Sequence, residues 1–174
     1  MNKNIALKFY YSSKIRFCYI FIFGFAFLIS CNQGIAPPPA KIRTYLFGTI
    51  KYIGGKSSWP VADSVKDIRV VAFRNYPPTD ILSEVLASRA LYSANSLPFF
   101  VDSCKYQIEI PNPPDTLKYI VVAQNYGSLL EWRVIGVFTR SGDVSKPSEI
   151  YIKPQISDTA NMKVDFNNLP PQPF

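Results

Sequence analysis

Along most of the chain, apolar and polar positions follow the two-residue period of a half-buried β-strand. Tyr106, Ile108 and Ile110 interleave with Gln107 and Glu109, and Met162, Val164 and Phe166 interleave with Lys163 and Asp165. Successive side chains of a strand point to opposite faces, so each of these segments presents one apolar and one polar side. Two other segments, Tyr119-Ile120-Val121-Val122-Ala123 and Val134-Ile135-Gly136-Val137-Phe138, are continuously apolar. They predict central strands covered on both faces. Seven runs rich in Val, Ile, Tyr and Phe can be delimited, at residues 42–53, 67–75, 106–110, 117–126, 132–139, 148–153 and 162–166. Gly54-Gly55, Pro77-Pro78, Pro111-Asn112-Pro113-Pro114, Gly127, Ser141-Gly142-Asp143 and Pro154 separate them, and such punctuation predicts an all-β sandwich.

One stretch departs from this period. Over residues 80–91, Ile81, Leu82, Val85, Leu86, Ala87 and Ala90 fall close to helical spacing, and Thr79 or Asp80 is available as an N-cap after Pro77-Pro78. The pattern predicts one helix of two to three turns, inserted between the second and third strands and covering a sheet face.

The N-terminal segment is of another kind. Lys3, Lys8, Lys14 and Arg16 precede a thirteen-residue apolar run from Phe17 to Ile29, and no acid occurs in this region. The run is shorter than the roughly 20 residues of a membrane span and fits the hydrophobic core of a secretory signal. It ends in Leu28-Ile29-Ser30-Cys31, which resembles the lipobox of bacterial lipoproteins. The resemblance implies cleavage between Ser30 and Cys31, acylation of Cys31 and a lipid-anchored location in the cell envelope. Asn32 in place of an aspartate tilts that location toward the outer membrane of a diderm cell. Two or three acyl chains make such anchoring persistent, at about 0.8 kcal/mol per buried methylene. The organisation expected is a signal peptide over 1–30, a lipidated tether over 31–41, a β-sandwich over 42–168 and a Pro-rich tail over 169–174. Within the tether, Pro37-Pro38-Pro39 favours extended polyproline geometry and reads as a semi-stiff stalk.

Removal of the signal changes the charge. The whole chain carries +7, and loss of those four cations leaves about +3, with Lys and Arg scattered rather than clustered. Nucleic acid is therefore not an expected partner. Of the three cysteines, Cys18 lies in the signal and Cys31 in the lipobox, so Cys104 has no intramolecular partner.

Four segments, Gly48-Thr49-Ile50-Lys51-Tyr52-Ile53, Val65-Lys66-Asp67-Ile68-Arg69-Val70-Val71-Ala72-Phe73, Tyr106-Gln107-Ile108-Glu109-Ile110 and Tyr119-Ile120-Val121-Val122-Ala123-Gln124-Asn125-Tyr126, follow one another in an order that resembles the prealbumin-like sandwich of carboxypeptidase regulatory-like domains. The resemblance implies a seven-stranded, Ig-like sandwich acting as an accessory or scaffold module. The chain departs from that pattern in its larger helical insertion and in Asp102-Ser103, where the family has an Asp-Gly turn.

Catalytic chemistry is constrained by what is missing. The sequence has no histidine, which removes Ser-His-Asp and Cys-His arrangements and the usual histidine-ligated metals, and it carries no P-loop, GxGxxG or Gly-x-Ser-x-Gly. No cofactor and no metal site is expected. Asp63 and Asp67 make only a weak calcium pattern. A pair among the twelve acids could serve a carboxylate-dependent hydrolase, and the sandwich interior could carry a small apolar ligand if it held about 300 Å³ of space. Trp59, in Ser57-Ser58-Trp59-Pro60, and Tyr76, before Pro77-Pro78, are the aromatic residues expected on loops, where they could contact an envelope protein or glycan. Trp132 reads as a core or sheet-edge residue. The tail, Leu169-Pro170-Pro171-Gln172-Pro173-Phe174, is expected to lie extended on the domain with Leu169 or Phe174 in an apolar groove. The function expected is a non-enzymatic, membrane-anchored binding or structural module.

Overall fold

A computed structural model describes residues 43–173, so the signal, the Ser30–Cys31 junction, the tether and Phe174 lie outside the described residues. The elements in chain order are β1 (Thr44–Tyr52), β2 (Asp67–Phe73), α1 (Ile81–Leu86), β3 (Ala90–Tyr92) and β4 (Ser103–Ile110). They continue with β5 (Asp115–Leu117), β6 (Tyr119–Asn125), β7 (Trp132–Val137), β8 (Ile150–Ile152), β9 (Asp158–Thr159) and β10 (Met162–Val164). The class is the expected one, an all-β sandwich with one short α-helix among the described residues.

Two four-stranded sheets face each other. In the first, β1 pairs antiparallel with β4 on one side and parallel with β9 and β10 on the other. The second has the order β3-β2-β6-β7 and is antiparallel throughout. A small ribbon of β5 and β8 adds Leu117, Ile150 and Ile152 to the core.

Alternation within each strand decides what lies between the sheets. Leu46 and Ile50 of β1, Ile108 and Ile110 of β4, Ile68 and Val70 of β2, and Ile120 and Val122 of β6 meet in one buried cluster. The opposite faces of β2, β6 and β7 contribute Val71, Phe73, Val121, Ala123, Val134 and Val137 to a second cluster, covered by Ile81 and Val85 of α1. Of the two continuously apolar runs, one becomes β6, central and buried at every position. The other becomes β7, which is not central but lies at the sheet edge, its burial supplied by packing on both faces. Each large aliphatic side chain withdrawn from water contributes roughly 1.5–3 kcal/mol.

Local chemistry fixes α1. Asp80 caps it by accepting from Ser83 N–H at 2.7 Å and from the Ser83 hydroxyl, which holds its carboxyl below the usual range. The buried Glu84 accepts from Arg89 Nε at 2.9 Å and Nη2 at 3.2 Å, and that pairing keeps it ionised. The helix is shorter than the predicted 80–91 span because Ser88 takes a positive φ of 57° and Ala90 to Tyr92 turn into strand β3. Periodicity alone could not separate these, since the register of β3 with Val71, Ala72 and Phe73 is a long-range choice.

The described residues hold ten strands where seven runs are predicted. The run at 117–126 divides at Lys118 into β5 and β6, which join different sheets. The two-residue β9 is too short to leave a periodic signal. It continues into β10 past Ala160, whose carbonyl oxygen would lie 2.1 Å from any Cβ placed on Gly48. Tyr106 donates its hydroxyl to that same oxygen at 2.6 Å. Glycine is required at position 48 by this close approach.

The C-terminal tail does dock, chiefly through a polar residue. Gln172 accepts from Val134 N–H at 2.8 Å and donates to Val134 C=O at 2.9 Å, capping the free edge of β7. Leu169 packs against the main core. Deleting residues 169–174 is expected to cost about 1–2 kcal/mol, the worth of one or two net hydrogen bonds, and to lower the melting temperature by a few degrees. An unchanged melting temperature would contradict docking.

Candidate functional site

The outer face of the first sheet is where the chain builds a cavity. Because Leu46, Ile50, Tyr106 and Ile108 point inward, the intervening residues must point out. Tyr45, Phe47 and Thr49 of β1 stand opposite Glu109, Gln107 and Lys105 of β4, respectively. On one flank the segment after β3 rises as a wall. It is pinned by Ser93 N–H to Val70 C=O at 2.9 Å and by Leu97 N–H to Ile68 C=O at 2.8 Å. Arg69 braces it further, donating through Nη1 to Ser93 and Ala94 carbonyls at 2.9 Å each, while Asp67 accepts from Arg69 Nε at 2.7 Å. Thr159 and Asn161 form the other flank, and Asn161 is fixed by accepting from Thr49 N–H at 2.9 Å.

The resulting groove has a volume of about 850 Å³ and is partly open to solvent. Two rings line it in the open, Phe47 at 43% and Tyr92 at 48% exposure. Arg43 and Glu109 form an ion pair at 3.6 Å across its end, and Lys105 has no ion-pair partner among the described residues. Rings alternating with amide, hydroxyl and ammonium groups can stack on and hydrogen-bond to an extended chain. Glu109 is the one carboxylate lining the groove among the described residues, and a two-carboxylate hydrolysis has no second member among them there.

Several of the acids elsewhere are engaged within the fold. Asp115 pairs with Arg74 at 2.9 Å, Asp102 accepts from Lys56 N–H at 2.9 Å, and Asp143 accepts from Ser145 N–H at 3.0 Å. Glu131 accepts from Ser128 N–H, which holds its carboxyl below the usual range. Asp67 is committed to Arg69, and no group of three or more His, Cys, Asp or Glu suited to a metal occurs among the described residues.

Trp59 is not the exposed loop anchor the sequence suggests. It is 9% exposed, its ring lies 4.4 Å from Tyr52, 5.0 Å from Phe166 and 5.2 Å from Phe100, and its Nε1–H donates to Val101 C=O at 3.0 Å. The loop from 53 to 66 carries the indole back over the end of β1, where these rings offer more apolar contact than water does. Only its rim reaches a surface depression of about 460 Å³, beside Ser57, Ser58 and Asn167. Tyr76 is 49% exposed, with its ring 4.9 Å from Tyr119. The two residues belong to different aromatic groups and do not form one site. Trp132 is half-buried at the edge strand β7, with Nε1–H donating to Leu129 C=O at 2.9 Å.

Cys104 is buried under the Tyr52 hydroxyl, 3.8 Å away. Burial raises both its pKa and that of Tyr52, so the thiol is held in its unreactive form. Phe47, Tyr92 and Gln107 were not among the residues expected to bind. The available signal was an aromatic pair, Tyr45 and Phe47, on the otherwise polar phase of an alternating strand. No family model, curated protein or solved structure matches this chain.

Proposed function

We propose that the protein is a cell-envelope lipoprotein, anchored through acylated Cys31, whose sandwich is a non-catalytic module that binds an extended envelope chain, a glycan or protein segment, in the groove on β1 and β4. The outer membrane is the preferred location, from Asn32 after the lipidated cysteine. The groove itself carries the proposal: a partly open trough of about 850 Å³ with exposed Phe47 and Tyr92, polar side chains between them and a single carboxylate among the described residues. Open troughs suit chains, whereas small-molecule catalysis favours concave sites with convergent, perturbed acids and bases. The main core is filled by buried Leu46, Ile50, Ile108 and Ile120, which disfavours a carrier of a small apolar ligand. The accessory role implied by the regulatory-like sandwich domains agrees with this reading.

Capture from envelope extracts by the wild type and by a Phe47→Ala/Tyr92→Ala variant tests it. Both rings are substantially exposed, so the variant should fold with a stability change of about 1 kcal/mol or less. Retention of the captured chain should fall by on the order of 10-fold or more, as when an aromatic anchor is truncated. Equal retention by a folded variant would remove the groove from the account.

A further inference from the structure

The β6–β7 hairpin presents two adjacent leucines to solvent at its tip. Leu129 is 75% exposed and Leu130 74% exposed. An unstructured loop could fold such side chains away, but this one is braced. Tyr126 N–H donates to Glu131 C=O at 3.1 Å, Glu131 N–H to Ser128 C=O at 3.1 Å, and Asn125 Nδ2 to Ser128 C=O at 2.6 Å. Trp132 donates its indole N–H to Leu129 C=O, and the Glu131 carboxylate turns back to accept from Ser128 N–H at 2.5 Å. Gly127 is needed for that last contact, because a Cβ there would come within 2.3 Å of the carboxylate. The fold thus holds Leu129 and Leu130 outward.

The residues beneath the leucines have the chemistry of a membrane interface. Tyr126, 39% exposed, and half-buried Trp132 flank the tip, and Arg133 lies 5.0 Å above the Tyr126 ring. Lys66 is exposed and its backbone N–H bonds Asn125 C=O at the hairpin base. The turn leading into Lys66 carries Val61, 75% exposed. Aliphatic tip, amphipathic Tyr and Trp, then Arg and Lys is the order in which side chains partition across a bilayer boundary. The Glu131 carboxylate is turned back onto Ser128 N–H, and Arg133 Nε donates to Gln124 Oε1 at 3.0 Å.

We propose that this hairpin is a second membrane contact, dipping Leu129 and Leu130 into the acyl region of an anionic bilayer while Arg133 and Lys66 meet the headgroups. The proposal rests on the envelope-anchored reading, since it needs a bilayer within reach of the domain.

The test uses the full chain reconstituted on vesicles of phosphatidylcholine and phosphatidylglycerol that contain bromine-labelled acyl chains, with tryptophan emission as the readout and vesicle flotation on the same samples. Trp132, hydrogen-bonded to Leu129, should be quenched in the wild type. In Leu129→Ser/Leu130→Ser the quenching should be lost, because withdrawing each leucine from the bilayer costs about tenfold in partitioning, about 100-fold together. Leu86→Ser, which alters a leucine 76% exposed on α1, should quench like the wild type. A chain that floats without quenching, or equal quenching in the double variant, would overturn the hairpin contact alone. A chain that does not float would overturn both the anchor and the contact.

Discussion

Trp59→Ala should destabilise the domain by about 3–5 kcal/mol, the range for truncating a large aromatic side chain in a core. The indole fills the space among Tyr52, Phe100 and Phe166 at the end of β1, and its N–H satisfies Val101 C=O. Removal therefore opens a cavity under three rings and leaves a carbonyl without its partner. Trp59→Phe keeps part of the packing and should lose less, about 1–3 kcal/mol. Denaturant titration measures both, and the midpoint should fall while the slope stays constant. A loss below about 0.5 kcal/mol for Trp59→Ala is what an ordinary surface residue gives, and would return the indole to the surface as a candidate for binding.

Trp59 also illustrates what the sequence can and cannot disclose. Alternation is a local property, and it correctly placed Tyr106, Ile108 and Ile110 on one face and predicted that β6 would be covered on both sides. The N-cap was legible to within one residue, as Thr79 or Asp80, for the same reason, since capping joins residues three apart. Loop aromatics are different. Whether Trp59 faces water depends on Phe100 and Phe166, which are distant from it in sequence and which no local pattern ties to the Trp59 loop. Strand β3 is hidden inside the helical spacing of residues 80–91, and β9, two residues long, leaves no periodic signal.

The groove was hidden by a related limit. A polar phase in a strand says only that one face is wet. The wall that turns this wet face into a trough is built by Arg69 holding the carbonyls of Ser93 and Ala94, a contact across about two dozen residues. The hairpin leucines were in plain view as Leu129-Leu130 after Gly127-Ser128. Their exposure became meaningful once the hydrogen bonds of Glu131, Asn125 and Trp132 showed that the loop holds them outward.

Tethering of the proposed binding domain to an envelope membrane rests on Cys31. Growth with a labelled fatty acid, followed by isolation of the wild type and Cys31→Ser, measures it. On the lipoprotein reading, acyl chains would be added to the thiol and, after cleavage, to the new amino group, so the serine variant should carry no label and should keep residues 1–30. Wild type should be labelled, shortened at Ser30 and recovered with membranes, since two or more acyl chains hold a protein there persistently. Label entering Cys31→Ser, or a wild type that is never labelled, would contradict the account.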